Sequence, residues 1–144
     1  MADYNLGMNA KLYRGANDAL IAAMTEVTNI KDLTLNLESG EADVTTRAAS
    51  GWRATAPTLR ECTVEFELLW KSADANFEAF RDAFINGTTV ELAALDQARA
   101  TSGAQGIKGN FSITNCSRSE PLEEGITMSV TAKLSKFNEW HETA

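Results

Sequence analysis

Alternation of apolar and polar residues, the period that puts successive side chains on opposite faces of a strand, runs through most of the chain. It is clearest from Thr63 to Lys71, TVEFELLWK, where Val64, Phe66, Leu68 and Trp70 point one way and Glu65 and Glu67 the other. From Ile126 to Lys136, a span long for a strand, Ile126, Met128, Val130, Ala132 and Leu134 oppose Thr127, Ser129, Thr131, Lys133 and Ser135. Lys31, Leu33, Leu35 and Leu37 alternate with Asp32, Thr34 and Asn36, and shorter versions occur at Ala10 to Arg14, Thr88 to Ala94 and Gly109 to Asn115. About six strands are expected, and most connections are too short for helical crossovers, which favours antiparallel pairing.

One segment departs from this period. In SADANFEAFRDAFING, Ala73, Phe77, Phe80 and Phe84 recur at helical spacing, Ser72 or Asp74 can cap the start, and Asn86-Gly87 supplies the stop. An amphipathic helix over 73–86, laying a phenylalanine stripe on a sheet, is predicted. Ala16 to Met24 suits a short helix or an irregular connection. Ser39 to Pro57, Asp96 to Gly106 and Ser117 to Gly125 read as loops, punctuated by Gly103, Gly106, Pro121 and Gly125. The first is the unusual one: a long loop arm of small and polar residues that carries Arg47, Arg53 and a single large aromatic, Trp52. The chain reads as one mainly β domain over 1–144, antiparallel, flanked by one helix, with an arm at about 39–57.

Composition adds a sign to this picture. With 44% hydrophobic and 23% charged residues the chain is ordinary for a folded domain, so disorder is not expected. A net charge of -7 argues against a surface that grips phosphates, although an acidic protein can handle DNA by repelling it. The start, MADYNLGMNAKLYRG, lacks a basic segment followed by an apolar core, and no apolar run approaches the roughly 20 residues of a spanning helix. A cytoplasmic product with no membrane partner is expected. Cys62 and Cys116 are too few for a disulfide framework and too far apart for a metal knuckle, so both are expected as reduced residues in or near the core.

Catalytic chemistry finds no foothold. His141 is the only histidine and lies three residues from the end, in a tail expected to fray, so it is read as an exposed terminal residue and a nucleophilic triad is not expected. No spacing suits a metal, and the glycines form neither a phosphate-cradling loop nor a dinucleotide fingerprint, so no cofactor is expected. Glu65 and Glu67 share one strand face and could be read as an acid/base pair, but a solvated or subunit-facing strand suits them better. The reading is a building block, not an enzyme.

The order of elements resembles the major tail tube proteins of long-tailed bacteriophages. The resemblance rests on NAKLYRG (Asn9 to Gly15), VTNIKDLTLNLESGEADVTTRAASGWRA (Val27 to Ala54), the TVEFELLW strand before a helix, and SITNCSRSEPLEEGITMSVTAKLS (Ser112 to Ser135). It implies a β-sandwich or partly open β-barrel flanked by one helix. Six copies would close into rings around a lumen, and the rings would stack into a tube, in company with other tail proteins, that passes DNA without binding it. Such a subunit belongs to the virion tail and is assembled in the host cytoplasm.

The resemblance also implies that the arm, little structured in the free subunit, orders on a neighbour. Trp52 would be its anchor and Arg47 and Arg53 its charged contacts, with Asp43 in the same contact set. Alternatively, Trp52 folds back onto its own core. Candidate lumen residues are Asp32, Glu65 and Glu67, or else Thr127, Ser129 and Thr131. The tube of a bacterial contractile injection system and a monomeric β-sandwich binding module, with loops 39–57 and 96–106 as its recognition surface, are the alternatives.

Overall fold

The computed structural model describes residues 6–144. Seven strands form one antiparallel sheet: β1 (Lys11–Gly15), β2 (Thr25–Glu26), β3 (Ile30–Asp43), β4 (Thr55–Leu69), β5 (Thr89–Leu95), β6 (Gln105–Ser119) and β7 (Thr127–Glu142). Their spatial order is β2-β1-β5-β6-β7-β4-β3. The sheet does not close into a barrel. A cleft of about 600 Å³, lined by Lys11, Leu12, Glu26, Ile30, Asp32 and Leu33 among others, separates its two ends.

One helix, α1 (Ala75–Asn86), lies on the core face. Asp74 caps it, its carboxylate accepting from the Phe77 N–H at 3.1 Å, an interaction worth about 1 kcal/mol. Gly87 ends it in the left-handed conformation, at φ 67°. Phe77 and Phe80 are buried, with ring centroids 4.0 Å from Trp70 and 5.0 Å from Phe66 respectively. Phe84, expected on the same stripe, is half exposed, and Ala83 takes the buried position. The main core joins these rings to Leu12, Val64, Leu68, Leu92, Phe111, Val130 and Ala132 from five strands.

The opposite face of β1 and β5 is also covered. Tyr13, Met24, Ala93 and Leu95 form a second cluster against Ala19 and Ile21 of the β1–β2 connection. That connection holds a 3-10 turn at Ile21–Ala23 and short β2, a strand its apolar content did not announce. Burial on both sides leaves little room at the β5–β6 contact: a Cβ at Gly106 would fall 1.6 Å from the Ala94 carbonyl oxygen.

Under this cover lies a polar network. Glu91 is fully buried and its carboxylate meets the Lys108 ammonium at 2.7 Å. Asn138 donates to both Glu91 oxygens, at 2.9 and 2.8 Å, and the Asp18 N–H donates to Asn110 at 3.1 Å. Lys136 pairs with the Asp18 carboxylate at 3.1 Å. That hydrogen bond, and then one from Asn110, hold the Asp18 carboxyl below its usual range.

Several expectations need correction. The arm at 39–57 is shorter than expected, because its two ends are strand: β3 and β4 remain paired through Ser39↔Arg60, Glu41↔Pro57, Ala42↔Ala56 and Asp43↔Thr55. Only 44–54 connects them. The hairpin carried no signal because both its faces are exposed, so the ladder is held by backbone hydrogen bonds without an apolar period. Likewise β6 reaches from Gln105 to Ser119, taking residues from both flanking loops.

The C-terminal segment does not fray. His141 pairs with Gly106 inside β7, and the Thr143 hydroxyl donates to the Arg99 carbonyl at 2.8 Å. His141 is therefore half-buried in a ladder, not an exposed terminal residue. Arg99 in turn stacks over Tyr13 and donates to the carbonyls of Ile21 and Met24, which fixes the 96–104 loop to the second cluster.

Cys62 is buried and Cys116 half-buried, both free, and burial pushes both thiols above their ordinary range. A disulfide-exchange reagent at mild alkaline pH is expected to leave Cys62 unlabelled in the native protein and to react with it only as denaturant unfolds the chain. Labelling of Cys62 at the rate of a free thiol under native conditions would contradict this packing.

Candidate functional site

Register decides which polar residues share a surface. Across β3, β4, β7 and β6 the pairs Thr34↔Glu65, Glu65↔Thr131 and Asn115↔Thr131 set one row of side chains beside another. Glu67↔Ser129 and Ser117↔Ser129 make the next row, and Asn36↔Thr63 with Thr63↔Lys133 the row on the other side. Thr127 joins the same face opposite Leu69. The two candidate sets from the sequence, Glu65 and Glu67 or Thr127, Ser129 and Thr131, are thus one surface. Asp32 is exposed in the bulge between Ile30 and Leu33, where it also lines the cleft.

Two further carboxylates belong to this face. Glu38 and Glu61 stand directly opposite each other, a like-charge pair that costs stability. Sequence reading missed them because they lie in the exposed part of the hairpin, where nothing marks a strand. Lys133, opposite Thr63, is a cation on the same face as Glu38, Glu61, Glu65 and Glu67. The reverse of the same sheet is the core, since Cys62, Val64, Phe66 and Leu68 alternate with those residues.

Among the described residues, both margins of this four-strand region lack a strand partner. β3 is the last strand of the sheet, paired to β4 alone. β5 pairs with β6 only as far as Thr89↔Ser112, so Ile113 to Ser119 are paired on the β7 side alone. Unpaired edges are templates for another chain.

At the far end of the β3–β4 hairpin, Ser50 and Gly51 take left-handed conformations, at φ 54° and 86°, and reverse the chain. The Trp52 N–H donates to the Ala49 carbonyl at 3.1 Å, closing a compact tip after the 3-10 turn Arg47–Ala49. Trp52 is 79% exposed, so it does not fold back onto its own core. Leu37, Val44 and Leu59 are exposed along the same hairpin. Arg47 and Arg53 flank the tip and make no ion pair among the described residues. Asp43 is committed locally: hydrogen bonds from Thr45, including its N–H at 2.9 Å, hold the carboxyl below its usual range. It orders the start of the 44–54 connection at the end of β3.

The family model for phage tail tube proteins matches residues 11–136. The chain belongs to the phage tail tube protein family. The family is structural, not enzymatic, and its members are virion components. Solved structures share the fold. The tail of an empty gene transfer agent particle, obtained by helical refinement with C6 symmetry, is 17% identical, with a TM-score of 0.74 over 98% of this chain and 100% of that one. The SPP1 tail tube is 19% identical at TM-score 0.72, covering 98% of this chain and 80% of that one. The six-fold symmetrised baseplate of the anti-feeding prophage is 7% identical at TM-score 0.60, over 98% and 96%. Comparison with curated proteins finds no match. In this tail tube protein, then, the features that stand out are an acidic face, two open edges and an exposed aromatic hairpin.

Proposed function

We propose that the subunit closes edge to edge into hexameric rings, which stack into a tube whose lumen is lined by the acidic face and passes DNA without holding it. The observation that carries this reading is the four-strand region β3-β4-β7-β6, with a packed core on one side, carboxylates on the other, and an open strand edge at each margin. Pairing the β3 edge of one copy with Ile113 to Ser119 of the next continues the sheet and satisfies backbone groups on both. The C6 symmetry of the gene transfer agent tail supports six as the number. Other tail proteins cap and initiate the tube, and assembly takes place in the host cytoplasm.

The sign of the lining suits sliding. A basic lumen exchanges counterions with each phosphate it meets and so binds DNA. Asp32, Glu65 and Glu67 repel the backbone instead, over roughly the 8 Å Debye length of physiological salt, which keeps the polymer off the wall.

Negative-stain electron microscopy over a concentration series tests the assembly. Annular particles and hollow tubes are expected; a monomer at every concentration, with and without tail-initiation complexes, overturns the reading. Tubes of Glu65→Lys/Glu67→Lys are expected to retain DNA in a salt-dependent manner, whereas wild-type tubes release it. Equal retention by both removes the lumen assignment and leaves the ring.

A further inference from the structure

We infer that the β6–β7 turn of one copy seats in the cleft of its ring neighbour, with Leu122 as the side chain that enters it. The inference rests on the ring reading and adds to the joined sheet edges a contact made by side chains.

Strand direction brings the two together. β3 and β7 run one way and β4 and β6 the other, since each neighbouring pair is antiparallel. The pairs Ile30↔Leu68, Leu69↔Thr127 and Ser119↔Thr127 put the start of β3 and the end of β6 at the same end of the sheet. Rotation about a ring axis keeps that direction, so the edge from Ile113 to Ser119 meets the β3 edge of the next copy antiparallel. In level register the chain leaving Ser119 emerges beside the start of the neighbour's β3. The cleft lies there, lined by Ile30 to Leu33 of β3 and by Lys11 and Leu12 of β1.

The turn suits this cleft chemically. Leu122 is fully exposed, more so than any other large apolar side chain among the described residues, and it stands in a turn of glutamates and glycine. Met8, Leu12, Val27, Ile30, Leu33 and Leu95 give the cleft an apolar lining, and about 600 Å³ has room for a leucine and its neighbours in the turn. Pro121, directly before Leu122, restricts the turn, so less freedom is lost when it docks.

Charge adds to the match. Arg118 engages Glu120 at 3.0 Å, whereas Glu123 and Glu124 make no ion pair among the described residues. In the cleft, Lys11 stands 4.0 Å from Glu26, while Lys31 is exposed and makes no ion pair among the described residues. Lys31 is therefore the cation that Glu123 and Glu124 meet. Asp32 on the same lining offsets part of that attraction, so the apolar contact of Leu122 dominates. An apolar centre with a charged rim is the usual anatomy of an interface. With the turn at one margin and the cleft at the other, the contact is heterologous and repeats at every junction of a closed ring.

Two full-length variants test it. Leu122→Asp is expected to melt with the wild type, because nothing in the subunit covers Leu122, and to raise the concentration at which rings appear about tenfold or more, read by sedimentation velocity. Leu122→Cys/Lys31→Cys, in a Cys116→Ser background, is expected to give on mild oxidation of dispersed rings a ladder of linked chains that neither single variant gives. Rings of Leu122→Asp that assemble at the wild-type concentration overturn the contact, as does a double-cysteine variant without a ladder; both leave the cleft to a different protein of the tail. Linkage found in tubes but absent from dispersed rings also overturns it, by placing the turn between rings. A wild type that forms no rings at any concentration instead removes the ring reading on which the contact stands.

Discussion

Glu91→Ala is expected to lower the unfolding free energy by about 3–5 kcal/mol, the range for removing one partner of a buried ion pair. The substitution removes a carboxylate with no exposure that holds the Lys108 ammonium at 2.7 Å and accepts two hydrogen bonds from Asn138. Lys108 is itself 5% exposed, so it is left as an unpaired buried charge. Against a total stability of about 5–15 kcal/mol this is a large fraction. At roughly 3 °C per kcal/mol for a domain of this size, the melting temperature falls by about 10–15 °C. The companion variant Glu91→Leu/Lys108→Met removes both charges and is expected to recover much of the loss, because exchanging a buried pair for apolar groups is often neutral or better. Denaturant unfolding of both variants decides the matter. A loss below about 1 kcal/mol for Glu91→Ala means that Lys108 escapes to water and the network is not a clamp. The clamp has a role beyond stability, since it ties β5, β6 and β7 together where β6 passes from the covered half of the sheet to the half with an open edge.

Trp52→Ala is expected to do the reverse: leave the subunit unchanged and damage the assembly. With 79% of its surface exposed the indole contributes little to the isolated fold, so unfolding should shift by no more than about 0.5 kcal/mol. The proposal that Trp52 anchors the hairpin on a neighbouring copy predicts a loss of about 2 kcal/mol per contact, or roughly a thirtyfold rise in the concentration at which tubes appear. Sedimentation of assembled tubes, set beside thermal melts of the dissociated subunit, reads both quantities. Tubes that form as in the wild type while the subunit melts several degrees lower would return Trp52 to its own core and strike the hairpin from the interface.

The two substitutions differ in how visible their targets were in the sequence. Trp52 stands out because a large aromatic in a run of small polar residues has no local partner. Glu91 does not, because in TVELAAL it reads as an ordinary outward position of an alternating strand, and Lys108 falls between the loop expected at 96–106 and the strand expected from Gly109. Only the β1–β2 connection folding over that face turns an outward glutamate into a buried one. β6 was shortened in the reading for a related reason: register shifts between Lys108 and Gly109, Asn110 and Phe111, and Ile113 and Asn115 interrupt its phase, so the alternation survives only in fragments.

What the sequence by itself determined is the part of the protein whose side chains meet water on one face and apolar neighbours on the other. The core strands β4 and β7 and helix α1 with its Gly87 stop follow from periodicity and spacing, the acidic balance from composition, and the resemblance to tail tube proteins from the order of the segments that carry it. What only the tertiary structure decided is the part set by pairing. Glu65 and Glu67 share a surface with Thr127, Ser129 and Thr131, the arm is a projecting hairpin, and two strand edges remain open. Cross-strand neighbours and backbone ladders bring together residues distant in the chain, and a ladder with both faces in solvent leaves no hydrophobic period to read.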